Sequence, residues 1–520
     1  MKLKAALHTS LGICVTAALL AGCGGSDEPS ANGGGGDSEY ADGGTFTMAL
    51  KGDPGKLDPQ SSAGTQLFTV NQLAYDNLLS IDAETGEIQS QLAIDWEVDG
   101  KTVTITLGEG ITCSDGSDLT ATTVADNVAY VGDPKNKSPY LGVFLPAGAT
   151  AEADDAAGTV TITLAEPAPF VLNGLASLPM VCDAGMKDRK SLADTTVGTG
   201  PYVLTEAVPG DHYTYEIRDG YTWGPNGATT DEQGMPDTVV MKIIENEGTA
   251  ANLLVSGDIN AAQVIGPDVK RLDAQGLFAA ETTALQGEQW YNHDNGHETS
   301  DADVRMALTQ ALDLAELASV STAGAGTPAT TLAAIEPVSC PGDSVSGVLP
   351  AQDVDAAKSV LDGKTFTFLY SSAAGSGVAA AAELAVQQWE AAGATVTAKG
   401  VDETALQGAI FGTGDWDISW VPLNVNSPDQ LVPFLSGPGL ADGGTNFSGI
   451  DNADYTAGVE EASAMNGTEG CDTWLEAESA LVAAADIVPF ANNLVKTFGN
   501  GAEFETPGQL VPTSIRMLAK

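Results

Sequence analysis

Hydrophobic and polar positions alternate along several short stretches of this chain, and that period predicts half-buried strands. In Thr102–Leu107, Val103, Ile105 and Leu107 share one face; in Thr159–Leu164, Val160, Ile162 and Leu164 do the same. Tyr213 and Tyr215 share a face of His212–Ile217, which follows Val203-Leu204-Thr205 across a Pro209-Gly210 turn. That pair reads as a β-hairpin opened by Thr199-Gly200-Pro201-Tyr202, where Gly200 permits a backbone angle that other residues avoid. Gly44–Leu50, Thr238–Ile244 and Asp417–Val421 read as further strands, and Gln289–Asn292 as an extended segment. Helical spacing predicts helices over Thr65–Leu79, from a Thr120 cap to Val131, over Thr249–Ser256 and over Thr473–Ala485. Behind a cap at Ser300, Val304, Leu308, Ala311, Leu312 and Ala315 line one helical face. Strand Thr365–Tyr370, helix Val378–Ala392 closed by Gly393, and strand Thr395–Ala398 form a βαβ unit, so a parallel sheet is expected there. The class is α/β. A length of 520 residues exceeds one simple core and predicts at least two domains.

The first residues have a different pattern. Lys2 and Lys4 precede an apolar run from Leu11 to Ala21. This reads as a secretory signal peptide over residues 1–22, the run being too short for a membrane span. Leu20-Ala21-Gly22-Cys23 resembles a lipobox, which would make Cys23 the lipidated first residue of the mature chain. Residues 23–44 are Gly, Ser, Asp, Asn and Glu for the most part and read as a flexible, lipid-anchored linker. The expected location is therefore extracytoplasmic, held to the cell membrane by lipid.

Charge narrows the partners. The formal net charge is −49, and loss of Lys2 and Lys4 makes it more negative still. Nucleic acid and anionic lipid surfaces need Lys and Arg clusters, so neither is an expected partner. The charge suits attraction of cations, and equally a solvated acidic surface. Of six cysteines, Cys14 leaves with the leader and Cys23 is lipidated. Cys113, Cys182, Cys340 and Cys471 remain, without a CxxC pair, and read as two disulfides with three connectivities open.

At Tyr75–Val124 the chain resembles the family 5 extracellular solute-binding proteins of ABC transporters, the group of dipeptide, oligopeptide and nickel binders. The matching pieces are Leu92, Ala93 and Trp96, the strand pattern after them, and Asp115-Gly116 followed by Leu119-Thr120-Ala121. Gly198–Tyr202, the PG turn, then Arg218, Tyr221, Trp223 and Gly224 resemble that family's hallmark segment. The usual Asn-Pro after the Arg is Asp219-Gly220 here.

The resemblance implies a two-lobed periplasmic-binding-protein-like fold, type II, of the large three-subdomain variety. Lobe I would comprise residues 45–74, 192–291 and 489–520, with an extra subdomain over 75–191; lobe II would be 292–488. Pairing cysteines within these units gives Cys113–Cys182 and Cys340–Cys471. The implied partners are a small peptide or peptide-like solute and the permease and ATPase subunits of an importer. A non-peptide cargo, such as an oligosaccharide or a metal chelate, keeps the class, as does a surface receptor for a signalling peptide.

Catalysis has no positive signal. There is no GxSxG elbow and no P-loop, and no carboxylate pair stands out for glycoside hydrolysis. His293 and His297 would form a metal face only on a helix, and Asp294-Asn295-Gly296 reads as a turn. No metal or cofactor is expected. A binding protein needs an interlobe cleft with a few aromatic and polar groups. Trp420, as pocket wall or core, and the loop after it are the first candidates. In peptide-binding members that loop carries an Asp for the ligand's α-ammonium. Here the position holds Leu423 or Asn424, which leaves room for a blocked, cyclic or non-peptide ligand. Asn424 and Asn426 are candidate contacts, and Asp429 reads as part of the following turn. Tyr370 ends a strand, where α/β folds place ligands. Asn292 falls near the expected hinge, and Phe447 would close the mouth.

Overall fold

The computed structural model describes residues 40–519 apart from 63 and 466. The expected leader, Cys23 and the linker up to residue 39 lie outside the described residues. Ten strands form one sheet. In chain order they are β1 (Thr45–Leu50), β2 (Tyr202–Val208), β3 (His212–Ile217), β4 (Thr238–Ile243), β5 (Ala261–Val264), β6 (Phe278–Tyr291), β7 (Thr365–Ser371), β8 (Thr395–Val401), β9 (Ile418–Trp420) and β10 (Ile487–Gly499). Their order across the sheet is β8-β7-β9-β6-β10-β5-β1-β4-β3-β2. The βαβ unit is present: β7 and β8 pair in parallel, joined by a helix over Ser376–Ala391. The hairpin β2–β3 is present too, at the opposite edge of the sheet.

The middle of the sheet holds the molecule together. β6 and β10 are 14 and 13 residues long and pair antiparallel from Phe278↔Gly499 to Trp290↔Ile487. At one end β10 pairs with β5; at the other, β6 pairs with β9. These two strands are thus shared by both halves of the sheet. The register shifts on either side of Gly287, a bulge of the kind that bends a strand. Gly287 is required by contact, since a Cβ there would lie 2.4 Å from the Phe490 ring.

Apolar side chains gather separately in the two halves. One cluster contains Phe46, Leu73, Tyr202, Tyr215 and Met241, and a neighbouring one is built on the four-stranded sheet of residues 93–163. Two others contain Phe368, Trp389 and Trp420, and Trp290, Trp416 and Phe447. Both disulfides form with the within-unit pairing, Cys113–Cys182 and Cys340–Cys471.

The segment Gly198–Gly224 closes the first half around one carboxylate. Asp76 is 2% exposed. It accepts from Tyr221 Oη at 2.8 Å, Gln91 Nε2 at 2.9 Å and Trp223 Nε1 at 3.1 Å. Burial pushes its pKa above the usual carboxylate value, and these hydrogen bonds pull against that rise. Arg218 reaches the carbonyls of Thr199 at 2.8 Å and Thr112 at 2.9 Å. The helix expected to run to Leu79 stops at Ala74, because the chain turns there to bury Asp76. Gly200 corrects another expectation. Its φ is outside the left-handed region, and glycine is needed because a Cβ would sit 2.5 Å from the carbonyl carbon of Ala74.

Candidate functional site

The loop after β9 is fastened along its length. Val421 O accepts from Trp290 Nε1 at 2.9 Å, and Leu423 N donates to Glu288 Oε2 at 2.8 Å. Asn424 pairs with the backbone of Leu285 twice: its Oδ1 accepts at 2.8 Å and its Nδ2 donates at 3.1 Å. A side-chain amide here continues the edge of β6 beyond β9, as a further strand would. On the other side, Ile335 N donates to Val425 O at 3.1 Å and Ser339 N to Asn426 O at 2.7 Å. Ser339 precedes Cys340, so the Cys340–Cys471 bond holds this second anchor.

Several of the expected contacts are buried or packed against other side chains in this structure. Trp420 is 3% exposed and packs on Phe368 and Phe490, with ring centroids at 5.0 and 5.1 Å. Its Nε1 donates to Gln289 Oε1 at 3.1 Å. Asn292 is buried, and its Nδ2 donates to Trp416 O at 3.0 Å while its Oδ1 accepts from Asp294 N at 3.0 Å. Phe447 is buried between Trp290 and Phe411. Tyr370 is half-buried against Phe368 and Gly400. In this arrangement Trp420, Asn292 and Phe447 have no free polar group to offer, and the Asn424 amide is already paired. Asn426 keeps a buried Oδ1 without a hydrogen-bond partner.

The loop ends at a crevice of about 250 Å³ that sequence reasoning missed. One wall comes from residues 142–147 and 167–174, with Phe144 and Phe170; the other carries Asp429, Pro433 and Trp474. The first wall packs, through Phe144 and Val171, into the apolar cluster built on the four-stranded sheet. The second belongs to the half that holds β7–β9. Next to the lining residues, Asn173 Nδ2 donates to Ser339 Oγ at 3.1 Å and ties the segment of the first wall to the one that precedes Cys340. Trp474 stands on helix Cys471–Ala483, one turn from the disulfide. Its Nε1 is buried and has no hydrogen-bond partner. Asp429 stands in the short 3-10 turn Pro428–Leu431, as the sequence pattern assigns it, and it also lines this crevice. It is the sole acid between Val421 and Leu431, a signal that could have marked it.

Three carboxyls in this region sit far from their usual protonation range, each chiefly through burial. Glu288 is pushed up to about 8, Glu478 to about 7 and Asp429 to about 6. Glu478 Oε2 accepts from Ser344 Oγ at 2.7 Å, and Ser427 Oγ donates to Asp429 Oδ1 at 2.5 Å. His293 is pushed down to about 3, by burial and then by Arg305. It contacts the Asp486 carbonyl, while His297 Nδ1 contacts Asp417 Oδ1 at 2.9 Å. The two rings thus face different partners. Among the described residues no group of three or more His, Cys, Asp or Glu is placed to hold a metal ion. No helix among them is long and apolar enough to cross a membrane.

Residues 87–439 match the family model described as bacterial extracellular solute-binding proteins, family 5, middle. The chain belongs to this family. Curated relatives include Protein XP55 of Streptomyces lividans, 30% identical over 305 residues, which are 55% of this chain and 53% of that protein. A glutathione-binding protein of Salmonella typhi is 29% identical over 283 residues, 53% of each chain. The matched segment thus spans about half the length of these relatives (53%). Among solved structures, a substrate-binding protein from Microbacterium hydrocarbonoxydans, complexed with 4-hydroxybenzoate hydrazide, superposes with a TM-score of 0.80 at 28% identity. That match covers 91% of this chain and 99% of the other. A dipeptide-binding protein from Pseudoalteromonas in complex with Met-Leu shares the fold, with a TM-score of 0.78 at 17% identity over 91% of this chain and 100% of that one. The two-lobed, type II α/β fold and the family resemblance read from the sequence are both borne out.

Proposed function

We propose that this protein is the solute-binding subunit of an ABC importer, anchored by lipid at Cys23 on the extracytoplasmic side. It captures a peptide or peptide-like solute between its two lobes and delivers it to the membrane permease, whose ATPase drives uptake. The observation that carries this reading is the crevice between two walls, bridged by Asn173 and Ser339 and overlooked by the Trp420 loop. On this reading the Asn173–Ser339 bond, which joins segments from the two sides, belongs to the shut state. A ligand that adds contacts to both walls therefore shifts the population toward closure. The bulged pair β6–β10 is the element that would bend. The glutathione-binding relatives favour a peptide-like cargo.

A second reading is a small aromatic, non-peptide solute. The apolar walls of the crevice favour it, as does the hydrazide in the complex of the neighbour at 28% identity. Native mass spectrometry of protein purified without refolding tests both. A di- to octapeptide library and a set of aromatic hydrazides are then screened for a rise in melting temperature. If peptides neither co-purify nor stabilise, the peptide cargo is wrong. If neither class does, both cargo readings are wrong. Permease and ATPase genes beside this one would separate an importer from a sensor.

A further inference from the structure

The crevice has an uneven chemistry. Phe144, Phe170, Val432 and Pro433 make its walls apolar, and no Lys, Arg or His lines it. Beside the Ser463 hydroxyl, two polar groups stand out against that surface. Asp429 forms none of the ion pairs found among the described residues, and its side-chain partner is the Ser427 hydroxyl. The Trp474 side chain is 1% exposed, and its N–H meets no acceptor. A buried donor without a partner is costly and calls for an explanation. A carboxyl facing apolar walls likewise lacks a counter-charge. An anionic group entering here would meet Asp429 with nothing to offset it. A cation would find a partner, and the protein's net charge of −49 adds to the attraction. An apolar cavity of about 150 Å³ holds a benzene ring. The volume of about 250 Å³ therefore admits a ring with a short polar arm.

We propose that this crevice is the subsite for a cationic nitrogen carried on a compact aromatic or apolar group, with the Asp429 carboxylate as its acceptor and the Trp474 indole N–H as donor to a neighbouring ligand oxygen or nitrogen. This rests on the solute-binding reading and gives it a ligand class. Asn424, at the position where peptide binders carry an Asp, has its amide paired with Leu285. Asp429 is left as the loop's charged acceptor without an ion-pair partner among the described residues, whereas the unpartnered Asn426 Oδ1 is neutral. Ser427 Oγ donates to Oδ1 and backbone N–H groups at Asp429 and Gln430 also favour the ionised form, so the carboxylate is held in place as an acceptor without a counter-charge.

The probes are three ligands of one shape and different charge: benzamidine, benzamide and benzoate. Each is titrated calorimetrically into the full chain at pH 7.5. Benzamidine is expected to bind about tenfold or more tightly than benzamide, as a charge-assisted bond implies, with benzoate weakest. D429N keeps an acceptor for Ser427 and should bring benzamidine down to the affinity of benzamide. Trp474→Phe keeps a ring in the wall and should weaken benzamide about threefold or more, by loss of one hydrogen bond. Melting temperatures of both variants confirm that they are folded. Equal binding of benzamidine and benzoate, or D429N without effect on benzamidine, overturns the proposal. If peptides or hydrazides stabilise the protein while the ranking by charge is absent, only this inference fails. If no ligand of any kind binds, the solute-binding reading fails with it.

Discussion

Glu288 ties the bending strand to the loop above the crevice, and its charge state is measurable. The side chain is fully buried on β6. Its Oε2 accepts from Leu423 N at 2.8 Å and Trp290 Nε1 at 3.1 Å, while Oε1 has no hydrogen-bond partner. Among the described residues it forms no ion pair, and Glu478 adds a second acid nearby. Burial therefore pushes the carboxyl up to about 8 from the usual 4.5. The folded chain keeps a proton that the unfolded chain gives up above its own, lower value. The stability this proton contributes is fully present below about pH 4.5 and is lost as pH rises toward 8, at about 1.4 kcal/mol per pH unit. By pH 7 the loss amounts to about 3 kcal/mol, a large share of the ~5–15 kcal/mol that holds a typical domain. E288Q keeps an acceptor for Leu423 and Trp290 but cannot titrate. Its buried amide N–H groups lack acceptors, so its absolute stability is a poor guide, and the slope is the quantity to compare. Urea unfolding of both proteins from pH 5 to 8 should show the wild-type declining more steeply by about 1.4 kcal/mol per unit. Parallel pH profiles would refute the argument.

Two further outcomes concern the covalent and steric framework. Replacing Cys340 and Cys471 by Ser removes a cross-link between residues 131 apart, which costs about 5 kcal/mol in the chain-entropy model; a drop below about 1 kcal/mol in urea unfolding would rule that model out for this bond. Gly200→Ala drives a Cβ to within 2.6 Å of the Leu73 carbonyl oxygen. Backbone cannot step aside as a side chain can, so the melting temperature should fall, with a cost of about 1–3 kcal/mol; an unchanged melt means that the turn is looser than its geometry.

Much of the fold was legible because its signals are local. Alternation gave Thr102–Leu107, and the βαβ unit at 365–398 came from one strand period, one helix period and Gly393. Thr120 caps its helix as read, accepting from Thr123 N at 3.1 Å. The cap expected at Ser300 belongs to Asp301, which accepts from Asp303 N at 3.0 Å. The two central strands were the opposite case. Only Gln289–Asn292 of β6 was visible, because Glu281, Thr282, Thr283 and Gly287 interrupt the apolar alternation. Asn492 and Asn493 do the same in β10, where both are buried. These strands are held by backbone pairing to both halves of the sheet, and that pairing leaves no hydrophobic trace in the sequence.

The candidate site was harder for a related reason: an aromatic ring in a core and one in a pocket have the same local sequence. Trp420 is the case in point. Its ring is 3% exposed among Phe368, Phe490 and Gln289, so Trp420→Ala should cost about 3–5 kcal/mol in stability. Weaker binding by that variant would then report a damaged hinge as readily as a lost contact. Asp429 and Trp474 offer a cleaner test, because each can be changed by a few atoms. Asp429→Asn exchanges one oxygen for nitrogen, and Trp474→Phe removes the unmatched N–H while keeping a ring in the wall. If unfolding midpoints stay near wild-type in both while their benzamidine and benzamide affinities change as stated, and Trp420→Ala loses stability, the selective groups lie in the crevice and the tryptophan belongs to the scaffold. A Trp420→Ala protein that unfolds like the wild-type would return that ring to the list of ligand contacts.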